Sequence, residues 1–420
     1  MFQQAQPLAV TPGIASQLEI PRTPGNSQEF ANLTPICEVD FERDLCPGLF
    51  QPFQHEARMK YLAGITTWHF FTVCLLLQAG SSAEPLIEVH LQNDRITGTP
   101  LHWSTQRVTM LTANGVRRDF PPNTVQRFGQ LNGELIASTQ QQVWQQLRTE
   151  FNSRFLITAT EHYLVVHPAN SVNRWSKPLE RLYSDFHGFF QNHEYPLSKT
   201  RFPLVVIVLP NRAALLQAAA LNGHTDPRKI AGYYCDRSNR IWIHDSPRQA
   251  RQLPLPAHVT LRHEATHQLA FNTGIHQRFG TTPRWLAEGL AMLFEMPQQP
   301  VDFQTRDSQS ESSPLKTVLL NKSNSPGFGK LSLELLISSD AVFQQMPDLA
   351  YTQSATLTRF LIRTYPMRYQ GFLKRVAARP RFTPYAAATR RRDFTSSFPG
   401  NLALLESQWR AFLSTSRENS

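Results

Sequence analysis

Hydrophobic and polar positions divide the chain into stretches of different period. Residues 1–58 are rich in Gln, Pro and Thr and show no sustained period, which reads as disorder or as an untranslated extension from a misplaced start. At Met59-Lys60 the character changes. An apolar, aromatic run from Tyr61 to Leu77 is followed by Gln78-Ala79-Gly80-Ser81-Ser82-Ala83. A short positive start, an apolar stretch and a small-residue exit make residues 59–83 a secretory signal peptide, with Met59 as initiator and cleavage near Ala83. The alternative is an uncleaved membrane anchor, although the run is short for a span and broken by His69.

Residues 84–138 alternate over short segments, Leu86–Leu91, Arg107–Leu111 and Thr124–Phe128, with Asn114-Gly115 as a turn. They predict a small β domain. From 139 to 296 the periods mix. Gln140–Phe151 reads as a helix, His162–His167 as a strand, and Leu179, Leu182, Tyr183, Phe186, Phe189 and Phe190 as an apolar helical stripe. Pro203–Leu209 is a continuous apolar run and predicts a buried strand. Asn211 caps a helix that Gly223 stops, and Arg240–His244 is a further strand. Residues 297–330, rich in Pro, Ser and Gln, read as a linker or long loop. Residues 331–420 are helical, over Leu333–Ile337, Tyr351–Tyr365, Arg368–Ala378 and Leu402–Leu413. The expected class is α+β.

Charge adds little to function. The net charge is +10; residues 1–83 hold four Lys/Arg against seven Asp/Glu, a net of −3, which leaves +13 for 84–420. A basic surface allows contact with an anionic polymer of the cell envelope, although a solvated surface with no dedicated partner is the plainer reading. Arg390-Arg391-Arg392 reads as a solvated face. Of four cysteines, removal of the first 83 residues leaves only Cys235, which permits neither a disulfide nor a thiolate zinc site. No Gly-rich loop follows a strand, and no nucleic-acid module is visible.

The chemistry lies in residues 258–295. Leu261–Phe271 reads Leu-Arg-His-Glu-Ala-Thr-His-Gln-Leu-Ala-Phe. His263 and His267 stand four apart, about 40° around a helix and one turn along, so both imidazoles can reach one ion. Glu264 falls beside that ion, where a carboxylate can take the proton of an attacking water. Pro256 near the start and Gly274 past the end bound the helix. A hydrolytic zinc site needs three protein ligands and one open position. Residues 282–295 offer the third on a second helix: Thr282 as cap, Pro283 as first helical residue, and Glu288 midway along an apolar sequence. A carboxylate there would be costly unless a cation met it.

The stretch Arg262–Glu295, with His-Glu-Ala-Thr-His and then Trp-Leu-Ala-Glu-Gly-Leu-Ala, resembles the gluzincin metallopeptidases, closest to a peptidase-MA-like bacterial family usually left as a domain of unknown function. The resemblance extends more weakly over about 155–375. It implies a thermolysin-like catalytic fold in 139–296, completed by the C-terminal helices. It also implies zinc on His263, His267 and Glu288, and Ile241-Trp242-Ile243 as an edge strand that pairs an extended substrate. Tyr351 opens a helix where such relatives supply a tyrosine, and so is the candidate second donor to the oxyanion, with an ordinary helix-end tyrosine as alternative. His276 is a weaker candidate, expected on a loop surface. Where many gluzincins carry an acid that orients a histidine, this chain has Ala291 and Met292; Asn272 or Glu295 must take that part.

The expected function is a secreted or periplasmic zinc peptidase that acts on peptides or proteins, with no nucleic-acid partner and no integral membrane association after cleavage. A catalytically weak zinc-binding homologue serving as an envelope binding module is the alternative.

Overall fold

The computed structural model describes residues 85–224, 230–245, 255–295 and 331–418. The expectations for 1–58, the signal peptide at 59–83 and the linker at 297–330 lie outside the described residues. No described helix is long and apolar enough to cross a membrane. The architecture is mixed α+β, with two five-stranded sheets and eleven described α-helices, and the chain divides into two compact units at Ala137/Ser138.

The first unit is an antiparallel sheet in the order β4-β3-β2-β1-β5. Its strands are β1 (Leu86–His90), β2 (Arg95–Trp103), β3 (Val108–Thr112), β4 (Arg117–Phe120) and β5 (Arg127–Leu131). Gly115 turns β3 into β4 at φ 79°, a left-handed backbone that glycine adopts freely. Ile87, Val89, Ile96, Val108 and Met110 form its core.

The second unit is built on a mixed sheet in the order β6-β7-β8-β10-β9. These strands are β6 (Phe155–Ala159), β7 (Tyr163–Pro168), β8 (Leu204–Leu209), β9 (Gly232–Cys235) and β10 (Arg240–His244). β7, β8 and β10 run parallel, flanked by antiparallel β6 and β9. Every residue of β7 and β8 is buried, because helices cover both faces. Alternation assigns the faces. Leu164, Val166, Val205, Ile207 and Trp242 share a core with α1 (Gln140–Glu150) and α3 (Arg212–Leu221). The opposite face meets α2 (Ser176–Asn192) and α4 (Leu255–Asn272). Thr139 closes a capping box on α1, and Asn211 caps α3 by accepting from Ala214 N at 2.9 Å.

One expectation is overturned. Ile241-Trp242-Ile243 does not form an edge: β10 is interior, with β8 on one side and β9 on the other. The edge is β9. The Gly232-Tyr233-Tyr234 segment completes a hairpin with β10 through the turn at Asn239 (φ 59°) and so covers the side that would have been free. Gly232 is required there: a Cβ would lie 2.8 Å from both Ile243 Cγ2 and Thr260 Cγ2, against α4.

The remaining helices are α5 (Arg284–Phe294), α6 (Leu333–Ser338), α7 (Val342–Gln345), α8 (Pro347–Thr364), α9 (Pro366–Ala377), α10 (Ala387–Ser397) and α11 (Leu402–Glu418). α8 starts one turn before Tyr351, so that residue lies inside the helix rather than opening it. The arginine run at 390–392 is only partly a solvated face. Arg390 is buried, with Nη1 2.7 Å from Asp340 Oδ2 and Nε donating to Tyr385 O, while Arg391 and Arg392 are exposed. Spacing alone does not show that α10 turns its first arginine inward to meet an acid fifty residues upstream.

Candidate metal centre

Two buried helices carry the site. From Thr260 to Phe271 every residue of α4 is buried, and so is all of α5. Arg262 fixes how the two meet: its Nε donates to Phe294 O at 2.6 Å and its Nη2 to Asp185 Oδ2 at 2.9 Å, joining α4 to the end of α5 and to α2. Gly289 fixes how α5 meets α8, since a Cβ there would stand 2.6 Å from Ser354 O and 2.2 Å from Thr358 Oγ1. The start of α5 differs from expectation. Pro283 takes the cap position without a side-chain bond, and Asp340 Oδ1 accepts from Arg284 N at 2.9 Å instead of Thr282.

His263, His267 and Glu288 converge. His263 Nε2 lies 3.1 Å from Glu288 Oε2 and 3.2 Å from His267 Nε2, and His267 Nε2 lies 3.4 Å from the same carboxylate oxygen. Donors about 2.0–2.1 Å from a common zinc at tetrahedral angles stand about 3.3 Å apart, so the three separations match the edges of such a set. The Nδ1–H of His263 donates to Glu295 Oε1 at 2.9 Å, which turns the Nε2 lone pair towards the other two donors. Burial would raise the Glu288 carboxyl, but His267 and His263 outweigh it and hold the group below the ordinary carboxylate range, as an anion. Formally, Glu264, Glu288 and Glu295 with Arg284 sum to −2 in a buried cluster, and one divalent ion brings it to neutrality. On donor type, spacing and charge, the site fits zinc.

Glu264 neighbours this set and is 2 % exposed. Its Oε2 accepts from Tyr234 N at 2.8 Å, so the edge strand β9 holds one oxygen of that carboxylate. A half-buried amide network steadies the strand. Tyr234 Oη donates to Asn239 Oδ1 at 2.8 Å, and Asn239 and Asn272 exchange side-chain bonds of 2.7 and 2.9 Å. Of the two residues expected to orient a histidine, Glu295 bonds His263 and Asn272 bonds Asn239 at the β9–β10 turn.

Tyr351 is buried, and its Oη accepts from Arg284 Nη2 at 3.0 Å. The Nε of that arginine lies 3.5 Å from Glu288 Oε1, which places Arg284 between Tyr351 and Glu288. His276, expected on a loop surface, is 2 % exposed. Its backbone N–H closes on Ala270 O at 3.0 Å and draws the ring in against Phe271. Burial, helped by nearby His267, pushes its pKa down to about 3. Arg284 is the member that sequence reading missed. Its position four residues before Glu288, hence on the same helix face, is the signal that could have found it. Nothing local marks the Tyr234 amide.

One family profile, described as a protein of unknown function (DUF1570), matches residues 257–383, which take in all but the first two residues of α4, and α5 and α8 whole. No curated protein matches. Among solved structures, a point mutant of an M1 zinc metallopeptidase from Deinococcus radiodurans is similar at 13 % identity and a TM-score of 0.32, over 62 % of this chain and 51 % of that one. The present chain thus spans about half the length of that neighbour. A score that low fixes no shared fold, and the site stands on its own geometry.

Proposed function

We propose that the chain is a zinc-dependent peptidase of gluzincin type, in which His263 Nε2, His267 Nε2 and Glu288 Oε2 hold the metal. The observation that carries this reading is the approach of those three donors to within 3.1–3.4 Å of one another, in a buried cluster whose formal charge a divalent ion balances. Zinc held there supplies Lewis acidity, polarising a carbonyl and acidifying water.

The chain's own groups do the rest. Glu264 takes a proton from the attacking water and passes it to the leaving amine, with its second oxygen anchored on Tyr234 N. Tyr351 donates to the developing oxyanion. Glu295 keeps His263 in the tautomer and orientation that present Nε2. An extended peptide pairs along β9, the outer strand beside Glu264. On this reading residues 139–296 and 331–420 together carry the reaction, on a peptide or protein substrate outside the cytoplasm. The weak-homologue alternative draws on the acid missing at 291–292 and on the small β domain; Glu295, bonded to His263 Nδ1, supports the peptidase reading on the first of these.

The test is elemental analysis of the purified chain together with a peptide-library digest. One equivalent of zinc and chelator-sensitive cleavage are expected. Glu264→Gln should retain zinc and lose hydrolysis by roughly 10²–10⁴-fold, the range of a general-base deletion. Turnover that survives this substitution would remove Glu264 from the mechanism, and a zinc-free protein would end the assignment.

A further inference from the structure

The geometry points to Asn239 as a positioning residue that keys the edge strand β9 to the catalytic carboxylate Glu264; this rests on the zinc-peptidase reading above. Asn239 ends the turn between β9 and β10 in the left-handed backbone, at φ 59°, and is 2 % exposed. Its polar atoms reach three partners. The backbone oxygen accepts from Gln268 Nε2 at 2.8 Å, and Gln268 directly follows the second ligand on α4. Oδ1 accepts from Tyr234 Oη at 2.8 Å and from Asn272 Nδ2 at 2.7 Å, while Nδ2 donates to Asn272 Oδ1 at 2.9 Å. Arg278 holds the same turn, its Nε donating to Asp236 O at 2.7 Å.

Tyr234 is thereby attached to α4 at both of its ends. Its backbone N–H donates to Glu264 Oε2 at 2.8 Å, its ring stacks on Phe271 with centroids 5.7 Å apart, and its hydroxyl reaches Asn272 through Asn239. Glu264, Gln268, Phe271 and Asn272 stand at i, i+4, i+7 and i+8, one face of the helix over about 12 Å of its length. β9 has four residues and a strand neighbour on one side only, β10. The Tyr234 N–H points off the other side, since it is bonded to Glu264 and not to β10. With no second strand to hold it, this edge keeps its place along α4 through the attachments just named. The distance between strand and helix then sets where the proton-accepting carboxylate stands. The bond at the hydroxyl end, on Asn239, maintains that distance without touching substrate or metal. Asparagine tolerates the left-handed backbone and also supplies an acceptor and donors from one side chain; glycine supplies only the first.

The experiment compares full-length Asn239→Gly, Asn239→Ala, Tyr234→Phe, Glu264→Gln and the double variant Asn239→Gly/Glu264→Gln. Zinc affinity is measured by competition with a chromophoric chelator. kcat and KM are measured separately at saturating zinc on a peptide taken from the library digest, and amide hydrogen exchange is resolved at Tyr234 in the zinc-loaded chain. Asn239→Gly should bind zinc within about threefold of wild type, because no ligand and no partner of a ligand is altered. Its kcat should fall about 10²-fold with KM little changed, the mark of a displaced reacting group. Its Tyr234 amide should exchange about tenfold faster. Asn239→Ala, which strains the backbone as well, should be no faster than the glycine variant, whereas a residue needed only for its turn geometry would be rescued by glycine. In the Glu264→Gln background Asn239→Gly should remove no further activity, since the two act through one another. Tyr234→Phe deletes a single hydroxyl; it should lower kcat roughly tenfold, one hydrogen bond's worth, and carries the test if the glycine variant fails to fold.

Wild-type kcat in Asn239→Gly overturns the proposal and leaves Asn239 a turn residue. A double variant slowed by the product of the single effects overturns it too, as does zinc affinity lost in step with kcat. A wild-type chain that holds no zinc ends the peptidase reading and this inference with it; a wild-type chain that holds zinc and cleaves peptide alongside unaltered Asn239→Gly and Tyr234→Phe ends this inference alone.

Discussion

The two five-stranded sheets have the same strand count and different duties. In the first, β1 alternates between buried and half-buried positions, and charges stay near solvent: Glu88 takes Arg95 and His90, Arg118 takes Asp94, and Arg117 takes Asp119. In the second, β7 and β8 are buried throughout, and the helix layer on one face carries three carboxylates, two histidines and two arginines, Arg262 and Arg284, almost out of reach of water. The difference is where a charge can be kept. At a half-wet surface an ion pair gains little and loses little. Inside, a charge is costly without a partner, and the partners found here are Glu295 for His263, Tyr234 N for one oxygen of Glu264, and Arg284 beside Glu288.

The sharpest way to break the contrast is at Gly289. Gly289→Ala drives a methyl group towards the backbone oxygen of Ser354, which cannot rotate away, and forces α5 off α8. A loss of about 3 kcal/mol is expected, visible in thermal melts, with weaker zinc binding as Glu288 is displaced. An unchanged melting temperature would show that the two helices are less tightly apposed than described.

Next in size is an acid effect at His276 in the second unit. Buried His276 has a folded pKa of about 3, below its ordinary value of 6.5, so the unfolded chain takes up the proton first. Its stability contribution is complete above about pH 6.5 and is lost as pH falls towards about 3. Between about pH 7 and pH 5 that amounts to about 2 kcal/mol. Urea unfolding in the presence of chelator should show His276→Gln losing less stability over this interval by that amount; parallel curves would exclude the effect.

The smallest change belongs to the first sheet. The partly exposed pair of Arg118 with Asp94 should contribute under about 0.5 kcal/mol, so Arg118→Ala should unfold at nearly the wild-type urea midpoint and leave zinc affinity untouched. A change as large as that of Gly289→Ala would erase the distinction between the two sheets.

Much of this was legible in the residue pattern because it depends on near neighbours. Continuous apolar runs mark β7 and β8, Asn211 marks the start of α3, and a four-residue separation places His263 and His267 on one helical face. Spacing also names Glu288, since a lone carboxylate in so apolar a helix has to meet a cation.

What folding alone settled are choices among partners far apart in the chain. The edge of the sheet is β9 rather than β10, because β8, which pairs Val205 with Arg240 across 35 residues, takes one side of β10 and the adjoining β9 closes a hairpin on the other. His263 is oriented by Glu295, 32 residues on, and Arg284 meets Tyr351, 67 residues on. Arg390 turns inward to Asp340, and His276 is drawn under its loop. Helical period and capping act over a turn or two and are written in local composition. Which surfaces meet is decided by packing the whole unit at once, where a missing Cβ at Gly289 or a guanidinium bridging two helices counts for more than any local preference.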